Sequence, residues 1–321
     1  MFLVKRIVVG VEMPAERPWN RSSLKPSSRV AVRQAFQVAS GRRIPVTLVS
    51  ILPEPGAGSF HSHEASRQMI QDRAAADVVL NELKQEYSSD EKSQDSIECV
   101  VRAGDAWAEL IRLAGNQPDT LILCGTRDPD SLRRGLFGST GLKLLRLAPG
   151  PVWIVRPPLE DKETIDIVAA TDLGSVGADV IQTAVSIASK CSARLHVVHA
   201  ARNEADTEVV KGRVHEQLAA SDYRTIPAGA RVYVAAGEAD QCILDHVREA
   251  NADLVVLGTS SNAGTSGLLP GSTVERLLPE LQCSILAIKP EGFQSMLPAD
   301  FWTMDLDHRE DLGTAPRFSP V

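Results

Sequence analysis

Short, almost uninterrupted apolar runs alternate along this chain with longer stretches in which apolar residues return every three or four positions. The runs KRIVVGV (5–11), PVTLVSI (45–51), IECVVRAG (97–104), TLILCG (120–125) and PVWIVRP (151–157) predict five strands. A second series follows at IDIVAAT (165–171), ARLHVVHA (193–200), ARVYVAAG (230–237), DLVVLG (253–258) and SILAIKP (284–290). Between them, Ile181, Ala184, Val185 and Ala188 fall at spacings 0, 3, 4 and 7 in a helix predicted over about 177–190, and Val32, Ala35, Phe36 and Ala39 repeat that face earlier. Further helices are predicted around 206–220 and 239–250. Strands that are apolar along their whole length and separated by amphipathic helices belong to a parallel sheet covered on both faces, the doubly wound α/β plan. Ligands in such folds lie beyond the C-terminal strand ends.

The two series are copies of each other. GTRDPDSLRRGLFGST (125–140) returns as GTSSNAGTSGLLPGST (258–273), with six identical positions and a glycine offset of 258 − 125 = 133. Gly104 and Gly237, Leu144-Leu145 and Leu277-Leu278, and Arg156-Pro157 and Lys289-Pro290 keep the same offset. The expected organisation is a first unit over 1–158, a linker at RPPLEDKE (156–163), a second unit over 164–290 and a tail over 291–321. The first unit carries two insertions, 13–28 and 53–66, which either contact a ligand or, as the blander reading has it, plug the site or ornament the loops.

Composition narrows the partners. A net charge of −7 with pI near 5.6 provides no basic field for nucleic acid or an anionic membrane. No apolar run approaches the roughly 20 residues that span a bilayer, and Lys5 and Arg6 interrupt the one N-terminal stretch that resembles a signal sequence. The five cysteines (Cys99, Cys124, Cys191, Cys242, Cys283) are scattered and form no CxxC, which speaks against a disulfide framework or zinc site and fits a reducing cytoplasm.

The repeated loop carries the chemistry. A glycine where the strand ends lets backbone approach a ligand, and Gly271 before Ser272 and Thr273 aims helix N-terminal amides at an anion. An ordinary N-cap is the alternative reading of Gly-Ser-Thr before a helix. His61 and His63 form an H-x-H without a further ligand nearby, so no metal site is expected, and His196 and His199 face opposite sides of their strand. There is no Walker or dinucleotide glycine motif, and no nucleophile with its base.

With two units, a glycine signature ending in Gly-Ser-Thr, ATDLGS at 170–175 and VVHA at 197–200, the chain resembles a tandem member of the universal stress protein family from residue 1 to about 290. The resemblance implies two tandem doubly wound domains, each a five-stranded parallel sheet flanked by helices and similar to the adenine nucleotide alpha-hydrolase fold. It implies pairing through the last strands, PVWIVRP with SILAIKP, as an intramolecular pseudo-dimer; further homodimerisation is left open. In nucleotide-binding members ATP lies across the strand ends, with any Mg2+ held through its phosphates only. By position the binding roles fall on Asp172, Val198, Gly258, Ser261, Gly271, Ser272 and Thr273, and in the first unit on Glu12, Val49, Gly125, Asp128, Gly138, Ser139 and Thr140.

Both units depart from the family signature at its second glycine, which is Ser261 in one and Asp128 in the other. Serine is small and donates a hydrogen bond; aspartate repels phosphate, although Arg127, Arg133 and Arg134 stand near it in sequence. Glu12 is also one methylene longer than the aspartate expected there. The expectation is a stress-response or signalling module that binds adenine nucleotide mainly in its second unit, with no catalytic residue and at most slow hydrolysis. The alternative is a nucleotide-free interaction protein acting through dimerisation, insertions and tail. In the tail, Phe301 and Trp302 are expected to dock on one domain or on a second chain, with a disordered tail as the other possibility.

Overall fold

The computed structural model describes residues 4–40, 43–54, 63–88, 96–126, 138–158, 162–259 and 273–303. The strands are β1 (Arg6–Gly10), β2 (Val46–Leu52), β3 (Ile97–Ala103), β4 (Thr120–Gly125) and β5 (Val152–Val155), then β6 (Asp166–Ala170), β7 (Arg194–Ala201), β8 (Ala230–Ala236), β9 (Leu254–Gly258) and β10 (Ser284–Ile288). All ten join one sheet in the order β3-β2-β1-β4-β5-β10-β9-β6-β7-β8. Every neighbouring pair is parallel except the central one: β10 runs antiparallel to β5, with Ile285 opposite Ile154 and Leu286 opposite Trp153. The two parallel five-stranded sheets expected from sequence are therefore halves of one sheet, joined as the last-strand pairing predicts.

The helices are α1 (Pro26–Ala39), α2 (His63–Tyr87), α3 (Ala106–Ala114), α4 (Gly138–Leu147), α5 (Ser175–Cys191), α6 (Thr207–Ala219), α7 (Ala239–Glu249), α8 (Thr273–Leu277) and α9 (Ala299–Thr303). Strand residues alternate between two cores. Ile7 and Val9 of β1 pack with α1 and α2, whereas Val8 packs with α3 and α4; in the second unit α5 and α6 cover the first face and α7 and α8 the other. Burying a valine or isoleucine completely contributes about 1.5–3 kcal/mol, so a strand such as β1 is fixed by both layers at once. The predicted amphipathic stripe of α5 is the buried one, Ile181, Ala184, Val185 and Ala188 included.

The repeat also has a backbone reason. Gly104 and Gly237 follow β3 and β8 with φ of +131° and +141°, a region closed to side-chain-bearing residues, so the same turn demands glycine in both copies.

The tail returns to the first unit. Phe301 is buried against Trp107 of α3, with ring centroids 5.9 Å apart, and Arg112 lies over the Phe301 ring and donates from Nε to its carbonyl. Ser295 Oγ donates to the Leu147 carbonyl at the end of α4. Docking on a domain of the same chain is thus the arrangement for Phe301 and Trp302; residues 304–321 lie outside the described residues.

Candidate functional site

At the C-terminal ends of β1, β2 and β4 lies a cavity of about 720 Å³, lined by Glu12, Val49, Gly125, Gly138 and Thr140 together. The structure thus gathers five of the seven positions singled out in the first unit into one place. Ser139 is exposed beside them on α4, and Asp128 lies outside the described residues. Gly138 opens α4 with φ of +44°, so the chain turns there and the first amides of a ten-residue helix border the cavity.

Insertion 13–28 lines this cavity and does not plug it: Met13, Pro14, Ala15, Arg17 and Trp19 form one wall, and Pro53 and Glu54 of the second insertion add to another. The remainder of the second insertion, 55–62, and the H-x-H side chains lie outside the described residues. Arg17 grips Asp72 of α2 through two hydrogen bonds, from Nε at 2.7 Å and from Nη2, and stacks over Trp19. Burial alone would raise the Asp72 carboxyl, but bonds from Arg17 and Gln68 hold it below the usual range. Glu12 accepts a hydrogen bond from Lys25 Nζ at 2.8 Å, so its carboxylate is already ion-paired. Cys124 is buried and its thiol pushed up to about 12, by burial first and by Glu12 second, so it adds no charge.

The glycines that end β4 and β9 also have a packing reason. A Cβ on Gly125 would meet Ser27 at 2.7 Å, and one on Gly258 would meet Val176 at 2.5 Å. Space on the Cβ side of these positions is taken by the first turns of α1 and α5. Both glycines let a helix cross tightly over the strand end.

In the second unit the corresponding turn is braced from within. Asp172 accepts a hydrogen bond from the Gly174 amide at 2.8 Å, and Thr171 Oγ1 accepts one from the Leu173 amide at 3.0 Å. Gln217 of α6 ties the turn down, accepting from Thr171 Oγ1 at 2.6 Å and donating to the Gly174 carbonyl at 3.1 Å. Leu173 is held at φ of +62°, unusual for a leucine, and this strain falls at the candidate ligand end. The Val198 carbonyl accepts from the Thr171 amide and the Val49 carbonyl from the Val11 amide, so both valines act through backbone at the strand ends. Gly258 ends β9 and Thr273 begins α8, while Ser261, Gly271 and Ser272 lie outside the described residues.

The sequence reading missed one polar constellation. His196 hydrogen-bonds Asp166 through Nε2 at 2.9 Å and His246 through Nδ1 at 3.1 Å, all three buried. His246 sits between Leu244 and Val247 on the buried side of α7, and a histidine on an amphipathic face was the available signal. His199, as its position three residues on requires, goes elsewhere and pairs with the Thr171 carbonyl at 2.7 Å. Among the described residues no group of three or more His, Cys, Asp or Glu side chains is placed to hold a metal ion, and no helix is long and apolar enough to cross a membrane.

Comparison with known proteins places this geometry in context. The model of the universal stress protein family matches residues 4–156 and 166–289. Universal stress protein E of Escherichia coli (strain K12) is 26% identical over 212 residues, covering 60% of this chain and 65% of the relative, so the chain spans about 65% of that relative's length. A universal stress protein of Mycolicibacterium smegmatis is 24% identical over 309 residues, covering 88% of this chain and 97% of its own. The solved structure of a universal stress protein from Pseudomonas aeruginosa UCBPP-PA14 aligns with a TM-score of 0.59 at 23% identity, over 96% of this chain and 97% of that one, a likeness of fold.

Proposed function

The chain belongs to the universal stress protein family as a tandem two-unit member, and from that premise we propose that it is a stress-response or signalling module that binds adenine nucleotide, ATP in the first instance, at the C-terminal strand ends of its second unit. The observation that carries the reading is the turn after β6, where Asp172 and the left-handed Leu173 stand at the C-terminal strand ends of a half-sheet built in the same strand order as the first. Within this reading Asp172 faces the base, the backbone at Val198 and Gly258 flanks it, and Ser261, Gly271, Ser272 and Thr273 hold ribose and phosphates.

The first unit is the altered copy. Its cavity wall is built from Met13, Pro14 and Trp19, and the carboxylates of Glu12 and Asp72 are already committed to Lys25 and Arg17. Glu54 adds a further acidic group, and an extra carboxylate disfavours a polyphosphate. These features support weak nucleotide binding there, or a different ligand.

Heat denaturation of the purified full chain, with absorbance and mass of the released nucleotide, tests the reading. About one adenine nucleotide per chain is expected, lost in Asp172→Ala/Thr273→Ala and retained in Glu12→Ala/Thr140→Ala. Two per chain, or loss in the second variant alone, overturns the asymmetry; none in any preparation, with no uptake of added ATP by calorimetry, overturns nucleotide binding and leaves the interaction-protein reading.

A further inference from the structure

The two strands that meet at the centre of the sheet each end on a buried basic residue. Lys289 follows β10 and Arg156 follows β5, at equivalent places in the repeat, and they are 7% and 9% exposed. The chain satisfies only one of them. Lys289 Nζ donates to the Leu145 carbonyl near the C-terminus of α4 and lies 4.4 Å from the Phe293 ring centroid. Among the described residues the Arg156 guanidinium has no hydrogen-bond partner at Nε or Nη1. A buried charge without a partner is among the costliest arrangements in a protein interior, and a bound anion would relieve it.

Arg156 opens on a cavity of about 760 Å³ that wraps the end of β5 between α1, α5 and α7. The other charges lining it cancel in pairs: Lys162 lies 3.2 Å from Asp253, and Arg248 is bonded to Glu280. Cys283, beside Arg156, offers no counter-charge, because burial pushes its thiol up to about 12. Arg156 and Arg33 are the cations left over among the described residues, and Trp153, Val155 and Ile187 give the same cavity an apolar wall. We propose that this cavity at the junction of the two units is a second ligand site, taking a small molecule with an apolar body and an oxyanion head that pairs with Arg156. The site lies away from the nucleotide positions, contains none of them, and draws its lining from both units, so its occupant would stabilise the junction as well as itself.

The test uses the full chain with inorganic phosphate and acetate as separate probes. Their effect is followed by thermal unfolding and by the indole N–H resonance of Trp153, which lines the cavity and whose Nε1 has no partner of its own. Either probe is expected to raise the unfolding midpoint and shift the Trp153 signal; response to phosphate alone identifies a dianionic head, and response to acetate a carboxylate. Arg156→Met is expected to unfold at a higher temperature than the parent without probe, since an apolar side chain replaces an uncompensated charge, and to weaken the probe response about tenfold or more. Arg156→Lys keeps the charge and is expected to retain part of the response, which covers the case of a Met variant that does not fold. An unchanged Trp153 signal with both probes, or an equal response in the parent and both variants, overturns the proposal.

Discussion

Two histidines share a hydrogen bond in the interior of the second unit, and their partners fix the direction of the chain of protons. With Asp166 as a carboxylate and both rings neutral, His196 donates from Nε2 and its Nδ1 accepts from Nε2 of His246. The Tyr233 ring lies tilted against His246 with ring centroids 3.9 Å apart, and Arg194 adds a second bond to Asp166 at 3.0 Å. What remains is Nδ1 of His246, 3.8 Å from the exposed Glu249, the one nitrogen of the pair with room for another proton. Burial lowers the pKa of His246 below its ordinary value of 6.5, with His196 as the second cause and Glu249 opposing both. A base with a lowered folded pKa contributes stability that is complete above the unfolded value and is lost as pH falls through the folded one. The urea midpoint of the parent is therefore expected to fall as pH drops from about 6.5 towards 5. His246→Gln, which keeps a donor toward His196 but cannot titrate, is expected to show a shallower fall; parallel curves for parent and variant would count against this origin. Residues of this kind are poorly legible in sequence, because His196 and His246 stand 50 positions apart and only the fold brings them together.

At the scale of elements, the tail is a strap. It leaves β10 in the second unit, is tied to the end of α4 by Ser295, and seats Phe301 on Trp107 and Arg112 of α3. The same helix presents Ala106 and Leu110 to the first-unit cavity, so one face of α3 holds the tail while another borders the candidate ligand site. Phe301→Ala removes a ring that is 7% exposed, and large-to-small changes of this type cost about 3–5 kcal/mol. A loss towards the lower end of that range is expected from urea unfolding, accompanied by a change in Trp107 fluorescence; a variant as stable as the parent would show that the tail merely rests on the surface. The strands and principal helices stood out in sequence because their apolar periodicity matches the two-sided core to within a residue or two. The seat of the tail did not, since nothing local to Trp107 announces a partner nearly 200 residues away. The strand-end glycines stand out in sequence as places of close approach, but their neighbours Ser27 and Val176 lie in helices whose approach only the packed structure reveals.

For the whole molecule, the central antiparallel pair decides whether the two units behave as one. Each unit has cores on both faces of its half-sheet, and Leu286 and Trp153, 3% and 4% exposed, face each other across the junction. Above them α1 and α5 leave a groove of about 640 Å³, so the β5–β10 ladder and its flanking side chains carry most of the union on that face. Internal pairing leaves β3 and β8 as the open edges of the sheet, where Glu98, Arg102 and Arg231 place charge against further strand addition. The tryptophans offer a way to separate the units. Trp19, Trp107 and Trp153 belong to the first unit, and Trp302 follows the docked Phe301, so fluorescence follows that unit while far-ultraviolet circular dichroism follows both. In the parent the two signals are expected to report one coincident unfolding transition. Leu286→Asp places a carboxylate opposite Trp153 at a junction position only 3% exposed, where an unpaired charge costs several kcal/mol. That penalty falls on the union more than on either unit, because α5 and α7 cover the other strands of the second half-sheet independently of β5. The two signals of Leu286→Asp are therefore expected to part, with fluorescence and dichroism giving different midpoints; coincident curves displaced together would mean that the junction is an integral part of a single cooperative core.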